Sequence, residues 1–272
     1  MQAKKLLSGA FNHLSECRYG YMLYNVNDTY IGGSLDRYGE FSEGEVEVFR
    51  QVLQPGNVAV DVGANLGAHT LFFANAVSRH GRVYAFEPQR IIFQTLCANM
   101  ALNSVTNAYC FPLAVGESAG SILVPMLDPE NVNNFGGLEL GEFTEGETVA
   151  MITLDSLELP QCRLIKVDVE GMEVGVLKGA RATIDRCRPV LYVENDRAEK
   201  ADELTRFIDE LGYRMYWHQP LLFNPQNFYG NSINVFGRVA SYNIFCVHSS
   251  ENVVMQGFEQ LLPGERHPLA KT

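Results

Sequence analysis

Five short segments of the chain carry residues able to do chemistry. The first is Asp61-Val62-Gly63-Ala64-Asn65-Leu66-Gly67, which follows the apolar run Val58–Val62. A glycine loop between a strand and a helix aims backbone N–H groups at a nucleotide-type ligand over the helix N-terminus. The dinucleotide pattern G-x-G-x-x-G does not fit, because position 65 is Asn and the spacing is G-x-x-x-G. That disfavours an NAD-dependent oxidoreductase. Asp61 stands two residues before the first glycine, where it would repel a pyrophosphate but suit an ammonium group. The second segment is Glu87-Pro88, with Glu87 24 residues beyond Gly63. An acid at the end of the next strand can accept both hydroxyls of a ribose. Together the two segments describe a nucleoside with an ammonium-bearing tail and no phosphates, which is the constitution of S-adenosyl-L-methionine. The plainer reading makes Asp61 a helix cap and Glu87 a surface acid. Their places at strand ends beside the loop argue against it.

The other three segments supply acids, an amide and an imidazole. Asp168, Glu170 and Glu173 follow the apolar run Leu164–Val167. Asp168 can hold the cofactor or the acceptor, and Glu170 can act as general base or bind a sugar hydroxyl. Glu170 and Glu173 would also serve simply as first-turn helix acids. Glu194-Asn195-Asp196 ends a later strand facing the same pocket, with Glu194 and Asn195 as substrate contacts. Asp168, Glu194 and Asn195 are an oxygen-rich set of the kind that holds Mg²⁺, but hydrogen bonding to substrate is the preferred role and no metal is assigned. His218 follows the strand Gly212–Trp217 and is a second candidate base, or else a packed loop residue beside Trp217 and Pro220.

These residues need a scaffold that gathers strand ends. Helix-like Ala68–Ser78, Arg90–Leu102, Glu173–Ile184 and Ala198–Leu211 alternate with strand-like Val58–Val62, Arg82–Phe86, Ala108–Leu113, Leu164–Val167 and Pro189–Val193. Alternating β and α with unbroken apolar strands predicts a mostly parallel sheet covered on both faces, its ligands at the strands' carboxyl ends. Three segments exceed that minimum. Residues 1–50 form an N-terminal extension with a hairpin, Tyr21–Val26 against Thr29–Leu35, turning at Asn27-Asp28. Residues 117–152 are an excursion inserted in the main domain of residues 51–248, with Ser121–Val124 and Val149–Thr153 as strands. Between those strands, an acidic loop holding Asp128, Glu130, Glu139, Glu142, Glu145 and Glu147 carries Asn134, which can close over an acceptor as a lid. Residues 218–242 are a loop whose Phe223, Phe228 and Tyr229 would suit a sugar surface, and residues 249–272 form a tail.

Composition narrows the partners. With 272 residues, 46% apolar and 19% charged, the chain can bury a sizeable core. A net charge of −11 offers no basic face for nucleic acid or an anionic membrane. No apolar stretch is long enough to span a bilayer. Six cysteines without a C-x-x-C pair read as reduced thiols of a cytoplasmic protein. Leu6, Leu7 and Phe11 are either a homodimer contact or a loose end.

Asp61–Gly67 (DVGANLG), Tyr84–Pro88 (YAFEP) and Ile165–Glu173 (IKVDVEGME) together resemble the FkbM family of S-adenosylmethionine-dependent methyltransferases. So do Leu177-Lys178-Gly179-Ala180, Arg188-Pro189 and the upstream Tyr38–Glu45 (YGEFSEGE). The resemblance runs from about Tyr38 to Val247. It implies a Rossmann-like class I methyltransferase with a seven-stranded sheet. It implies that Glu43, Asp61, Gly63, Asn65, Gly67, His69, Thr70, Glu87, Pro88, Ala114 and Asp168 bind the cofactor, with Ala114 on the adenine side. It also implies that the residue after the fourth strand, Asp168, faces the transferring methyl. The expected reaction is O-methylation of a hydroxyl on a sugar or natural-product acceptor, with Asp168, Glu170 and His218 as the catalytic candidates. N-methylation of an amide or amine is the alternative, and a non-catalytic cofactor-binding protein is a third.

Overall fold

The computed structural model describes residues 5–138, 143–252 and 256–270. Three antiparallel strands open the chain: β1 (Lys5–Ser8), β2 (Asn12–Cys17) and β3 (Gly20–Asn25). Helices α1 (Ile31–Tyr38) and α2 (Glu43–Val52) follow. The alternating body then begins with β4 (Val58–Val62), α3 (Ala68–Val77), β5 (Arg82–Phe86), α4 (Arg90–Leu102) and β6 (Ala108–Phe111). An inserted sheet of β7 (Ala114–Val115), β8 (Gly120–Val124) and β9 (Glu147–Ile152) intervenes, in the order β7-β9-β8. The body resumes with β10 (Leu164–Val167), α5 (Glu173–Lys178), α6 (Arg181–Cys187), β11 (Val190–Glu194) and α7 (Ala201–Glu210). It closes with β12 (Tyr213–His218), β13 (Asn243–His248) and the two-residue β14 (Gln260–Leu261).

The main sheet has the order β14-β12-β13-β11-β10-β4-β5-β6. The five strands from β11 to β6 pair in parallel, and β13 is antiparallel to both its neighbours. The expected seven strands are present, and β14 adds an eighth along β12. Strand order reverses around β4, which is where an open α/β sheet leaves a crevice for ligand. Alternation along each strand sends side chains to opposite faces. Val60, Val62, Ile165, Val167, Leu191 and Val193 pack with α5, α6 and α7 on one face. Ala59, Leu164, Val190 and Tyr192 pack with α2 and α3 on the other. A third cluster seats β2 and β3 against α3 and α4. Among the described residues no helix is long and apolar enough to cross a membrane.

Two expected elements differ. The expected N-terminal hairpin shifts: β3 pairs with β2, and residues from Ile31 are helical. Asp28 does not turn a hairpin. Its carboxylate accepts from the backbone N–H groups of Gly32 at 3.0 Å and Tyr30 at 3.3 Å, and so starts α1. The helix expected over Glu173–Ile184 is broken at Gly179-Ala180. Gly179 lies against the inserted segment, where a Cβ would stand 2.0 Å from the Gly116 carbonyl. Asp155 then caps α6 from outside by accepting from the N–H groups of Ala182 and Thr183 at 2.8 and 2.7 Å.

Candidate functional site

The carboxyl ends of β4, β5, β10 and β11 open on a cavity of about 390 Å³, within the roughly 300–1,000 Å³ of typical ligand pockets. Gly63 and Asn65 line it from the loop after β4, Glu87 and Pro88 from the end of β5, Asp168 and Glu170 after β10, and Glu194 and Asp196 at β11.

The glycine loop is held by its backbone. Gly63 and Ala64 donate N–H bonds to the Phe86 carbonyl at 3.1 and 2.9 Å. Gly63 has φ +78°, and a Cβ there would stand 1.8 Å from the Asp168 carbonyl. Only glycine lets the exits of β4 and β10 touch. The Glu87 carboxylate accepts from the N–H of Asn65 at 2.9 Å and of Gln89 at 2.8 Å. Burial pushes its pKa up to about 7, the two N–H bonds opposing.

Several expected cofactor residues lie beneath the cavity or away from it. Asp61 and Thr70 have no exposed surface and brace the loop from below, the Thr70 hydroxyl donating to Asp61 Oδ2 at 2.6 Å. Gly67, φ +89°, ends the loop and is packed against Leu96. His69 is buried among Phe41, Phe49 and Phe73, and desolvation pushes it down to about 3, so it is neutral. Ala114 is buried in β7 and lines no part of the cavity, a correction with a simple reason: β7 belongs to the inserted sheet, not the main one. Glu43 is likewise corrected. Its carboxylate accepts from the Tyr19 hydroxyl and pairs with Arg50 and Arg18. Two positions on, over half a turn of α2, Glu45 reaches the cavity instead.

Oxygens of Asp168, Glu170 and Glu194 lie within 4.8 Å of one another. Three ionised carboxylates at that spacing would repel strongly, so their neighbours set them apart. Burial alone would push Asp168 up, but the Lys166 ammonium, donating at 3.0 Å, overcomes it and holds Asp168 below the usual carboxylate range. Glu194, half-buried at the end of β11, is pushed well above the usual range by desolvation and by Asp168, Glu170 and Asp196 around it. Glu170 has left-handed backbone, φ +52°, and pairs with Arg197, which also binds Asp196 at 3.1 Å. Burial and the adjacent Asp168 and Asp196 push Glu170 up to about 8 against the pull of Arg197. The carboxylate spacing would admit a divalent cation, but Lys166 on Asp168 and Arg197 on Glu170 already hold the compensating positions. Glu173 accepts from the Gly171 N–H at 2.8 Å, as a helix-start acid does.

Asn195 and His218 are further corrections. Asn195 is buried, its N–H donating to Tyr242 and its carbonyl accepting from His267 Nε2, both at 2.7 Å. Alternation beyond β11 turns Asp196, not Asn195, to the cavity. His218 hydrogen-bonds the Tyr192 hydroxyl at 2.8 Å and packs on Phe258, away from the cavity. Desolvation pushes it down to about 4.

The insertion does reach the rim. Asn134, Gly136 and Gly137 line the cavity, and the Phe135 carbonyl accepts from Gln89 Nε2 at 2.8 Å. Glu139 and Glu142 of the acidic loop lie outside the described residues. The aromatic loop serves packing: Phe223 meets Tyr38, and Tyr229 donates to the Glu16 carbonyl at 2.9 Å. Leu222 and residues 239–243 supply the wall expected from it. Sequence reading gave no role to Glu45, Lys166 and Arg197, and placed Asp196 at the strand end facing the pocket without assigning it one. A lysine inside the apolar run Leu164–Val167 was the available signal for one of them.

The model of the methyltransferase FkbM domain matches residues 61–215. The hexuronic acid methyltransferase AglP of Haloferax volcanii is 31% identical over 175 residues, 61% of this chain and 69% of that protein. Among solved structures, the FkbM methyltransferase from Methylobacillus flagellatus KT aligns with TM-score 0.48 and 20% identity over 73% of this chain. The chain spans half of its length. Precorrin-6y C5,15-methyltransferase from Geobacter metallireducens GS-15 aligns with TM-score 0.49 and 13% identity, over 75% of this chain and 87% of that one. With a family model matched over more than half of the chain, and with the glycine loop, Glu87, Asp168, Glu170 and Glu194 of the cavity inside the matched residues, the chain belongs to the FkbM family of methyltransferases.

Proposed function

We propose that the protein is an S-adenosyl-L-methionine-dependent O-methyltransferase acting on a hydroxyl of a sugar or a related polyhydroxylated natural product. One observation carries the choice of cofactor. The strand-end cavity beside the glycine loop is lined by Glu45, Glu87, Asp168, Glu170, Glu194 and Asp196, and among the described residues no Lys or Arg lines it. This acid-lined wall, with Asp168 held ionised, gives a pyrophosphate no counter-charge and accommodates a ligand that carries ammonium and sulfonium charge. Glu87 keeps lone pairs beyond the two N–H bonds it accepts, enough for a pair of ribose hydroxyls. The cofactor, when bound, supplies an electrophilic methyl group.

The chain's own residues would do the rest. Glu87 and the Gly63–Asn65 backbone would hold the nucleoside end. Asp168, kept ionised by Lys166, would orient the acceptor hydroxyl for in-line attack. Glu170, whose pKa is raised towards neutrality, would take the hydroxyl proton as the new C–O bond forms. The Asn134–Gly137 rim would keep water from the acceptor. The choice of a glycosyl acceptor draws support from the relative named as a hexuronic acid methyltransferase.

Calorimetric titration with S-adenosylmethionine and S-adenosylhomocysteine tests the cofactor. Wild type should bind both, and Glu87→Ala should weaken binding by about 10–100-fold, the loss of hydrogen bonds to a charged group. No binding by wild type, or equal binding by the variant, would overturn the assignment. Transfer of labelled methyl to a panel of glycosides then tests the acceptor class.

A further inference from the structure

Lys166 is a lysine where the fold calls for an apolar side chain. It lies in the central strand β10 between Ile165 and Val167 and is 2% exposed. A buried ammonium is costly unless its surroundings use the charge. Here Nζ is 3.0 Å from Asp168 Oδ2, 3.5 Å from Asp61 Oδ1 and 3.5 Å from the Gly63 carbonyl. Lys166 and Asp61 are directly opposed across the parallel β10–β4 pair, so one side chain spans both strand exits. Asp61 Oδ1 is fully buried and makes no hydrogen bond among the described residues; the Lys166 ammonium at 3.5 Å is the counter-charge beside it. The ammonium is what balances its charge.

We propose that Lys166 is the positioning residue of this site: from beneath the floor, its ammonium clamps the Asp168 carboxylate to the exit of β4 and so fixes it relative to the glycine loop. The clamp works where the backbones already touch, since Gly63 abuts the Asp168 carbonyl. Without the ammonium, Asp168 and Asp61 would face each other's charge across that contact. The other charged or titratable groups around the pair are Glu45 from α2, His69 from α3, Glu87 after β5, Cys110 of β6, Glu173 at the start of α5, Tyr192 and Glu194 of β11, and Glu170, Asp196 and Arg197 at the rim. Among the described residues, the ammonium and, at the rim, the guanidinium oppose this crowd of acids.

The test is a carboxyl-carbon NMR titration of wild type, Lys166→Met and Lys166→Arg, with Asp168→Asn to assign the signal. In wild type the Asp168 midpoint should fall below the ordinary aspartate value of about 3.9. In Lys166→Met it should rise by about one to three pH units, and Lys166→Arg, which keeps the charge, should keep it low. A structural role alone would leave the midpoint in place. An unshifted midpoint in a Lys166→Met protein with wild-type circular dichroism would overturn the proposal. If Lys166→Met does not fold, the wild-type midpoint decides, and one at or above the ordinary value overturns the proposal. The consequence for ligand rests on the proposed cofactor: S-adenosylhomocysteine affinity should fall about tenfold in Lys166→Met, as expected when an orienting charged contact is lost. If wild type fails to bind S-adenosylhomocysteine while the midpoint still shifts on substitution, the cofactor reading fails and Lys166 keeps its role.

Discussion

Carboxylates of the same intrinsic acidity behave differently here because each has a different neighbour. Asp168 has an ammonium, Glu194 has other acids, and Glu170 has both a guanidinium and three acids, Asp168, Asp196 and Glu173. That separates the roles the sequence left open between Glu170 and His218. Glu170 lines the cavity and is pushed up to about 8 by burial and the acids around it, whereas His218 is turned towards Tyr192 and Phe258. Glu170→Gln should therefore lower kcat for methyl transfer by about 10²–10⁴-fold, with S-adenosylhomocysteine affinity little changed. A base works once deprotonated, so wild-type kcat/KM should rise with pH through about 8 and then level off. His218→Ala should keep both the rate and that profile. A fully active Glu170→Gln, or a dead His218→Ala that still folds, would reverse the assignment.

At the scale of elements, what matters is how closely the strand exits approach. Gly63 and Gly56 are both left-handed, φ +78° and +89°, but a Cβ at Gly56 meets nothing within 4 Å while one at Gly63 would collide with the Asp168 carbonyl. Gly56→Ala should cost only the backbone strain, about 1–2 kcal/mol by urea denaturation. Gly63→Ala should cost clearly more, about 4 kcal/mol or above, and abolish S-adenosylhomocysteine binding, because β10 must move. Equal costs would mean that the contact is not tight. The same distinction explains what was legible in the sequence. β4, α3, β5 and α4 could be read because each is a local apolar pattern bounded by its own turn residues. Glu87, Asp168, Glu170 and Glu194 could be read because each lies at the end of such a strand or within three residues of it. The break between α5 and α6 depends on Gly116 and Asp155, far away in the chain, and α1 depends on which backbone groups Asp28 finds. Choosing Glu45 over Glu43, or Asp196 over Asn195, requires the rotational phase of the element, which a one-residue boundary error inverts.

Over the whole molecule these local shifts add up to a pH dependence of stability. Groups fall into two sets that oppose each other at acid pH. His69 and His218 are neutral in the fold, pushed down to about 3 and about 4, so the unfolded chain binds more protons than the folded one below about 6.5. Their contribution makes stability rise with pH up to that point. Glu87, Glu170 and Glu194 do the reverse. Burial and mutual repulsion push Glu87 to about 7, Glu170 to about 8 and Glu194 well above the usual range, so the folded chain binds more protons between about 4.5 and those values. There, stability falls as pH rises. Above pH 6.5 the histidines' opposing contribution fades as their unfolded form finishes titrating, and by about pH 7.5 the carboxylates act alone. Buried thiols such as Cys17, pushed up to about 12, extend the same sign to higher pH. The ligand-free protein should therefore lose thermal stability between pH 6.5 and 8.5. Glu170 alone accounts for on the order of 2 kcal/mol of that loss, or about 4–8 °C in Tm for a chain of this size. Calorimetric scans at constant ionic strength would show it, and Glu170→Gln should flatten the slope while leaving the acid limb set by the histidines. A Tm that is constant or rising over that range would mean the acids at the strand ends are ionised in the folded state, and the division of labour among Asp168, Glu170 and Glu194 would have to be redrawn.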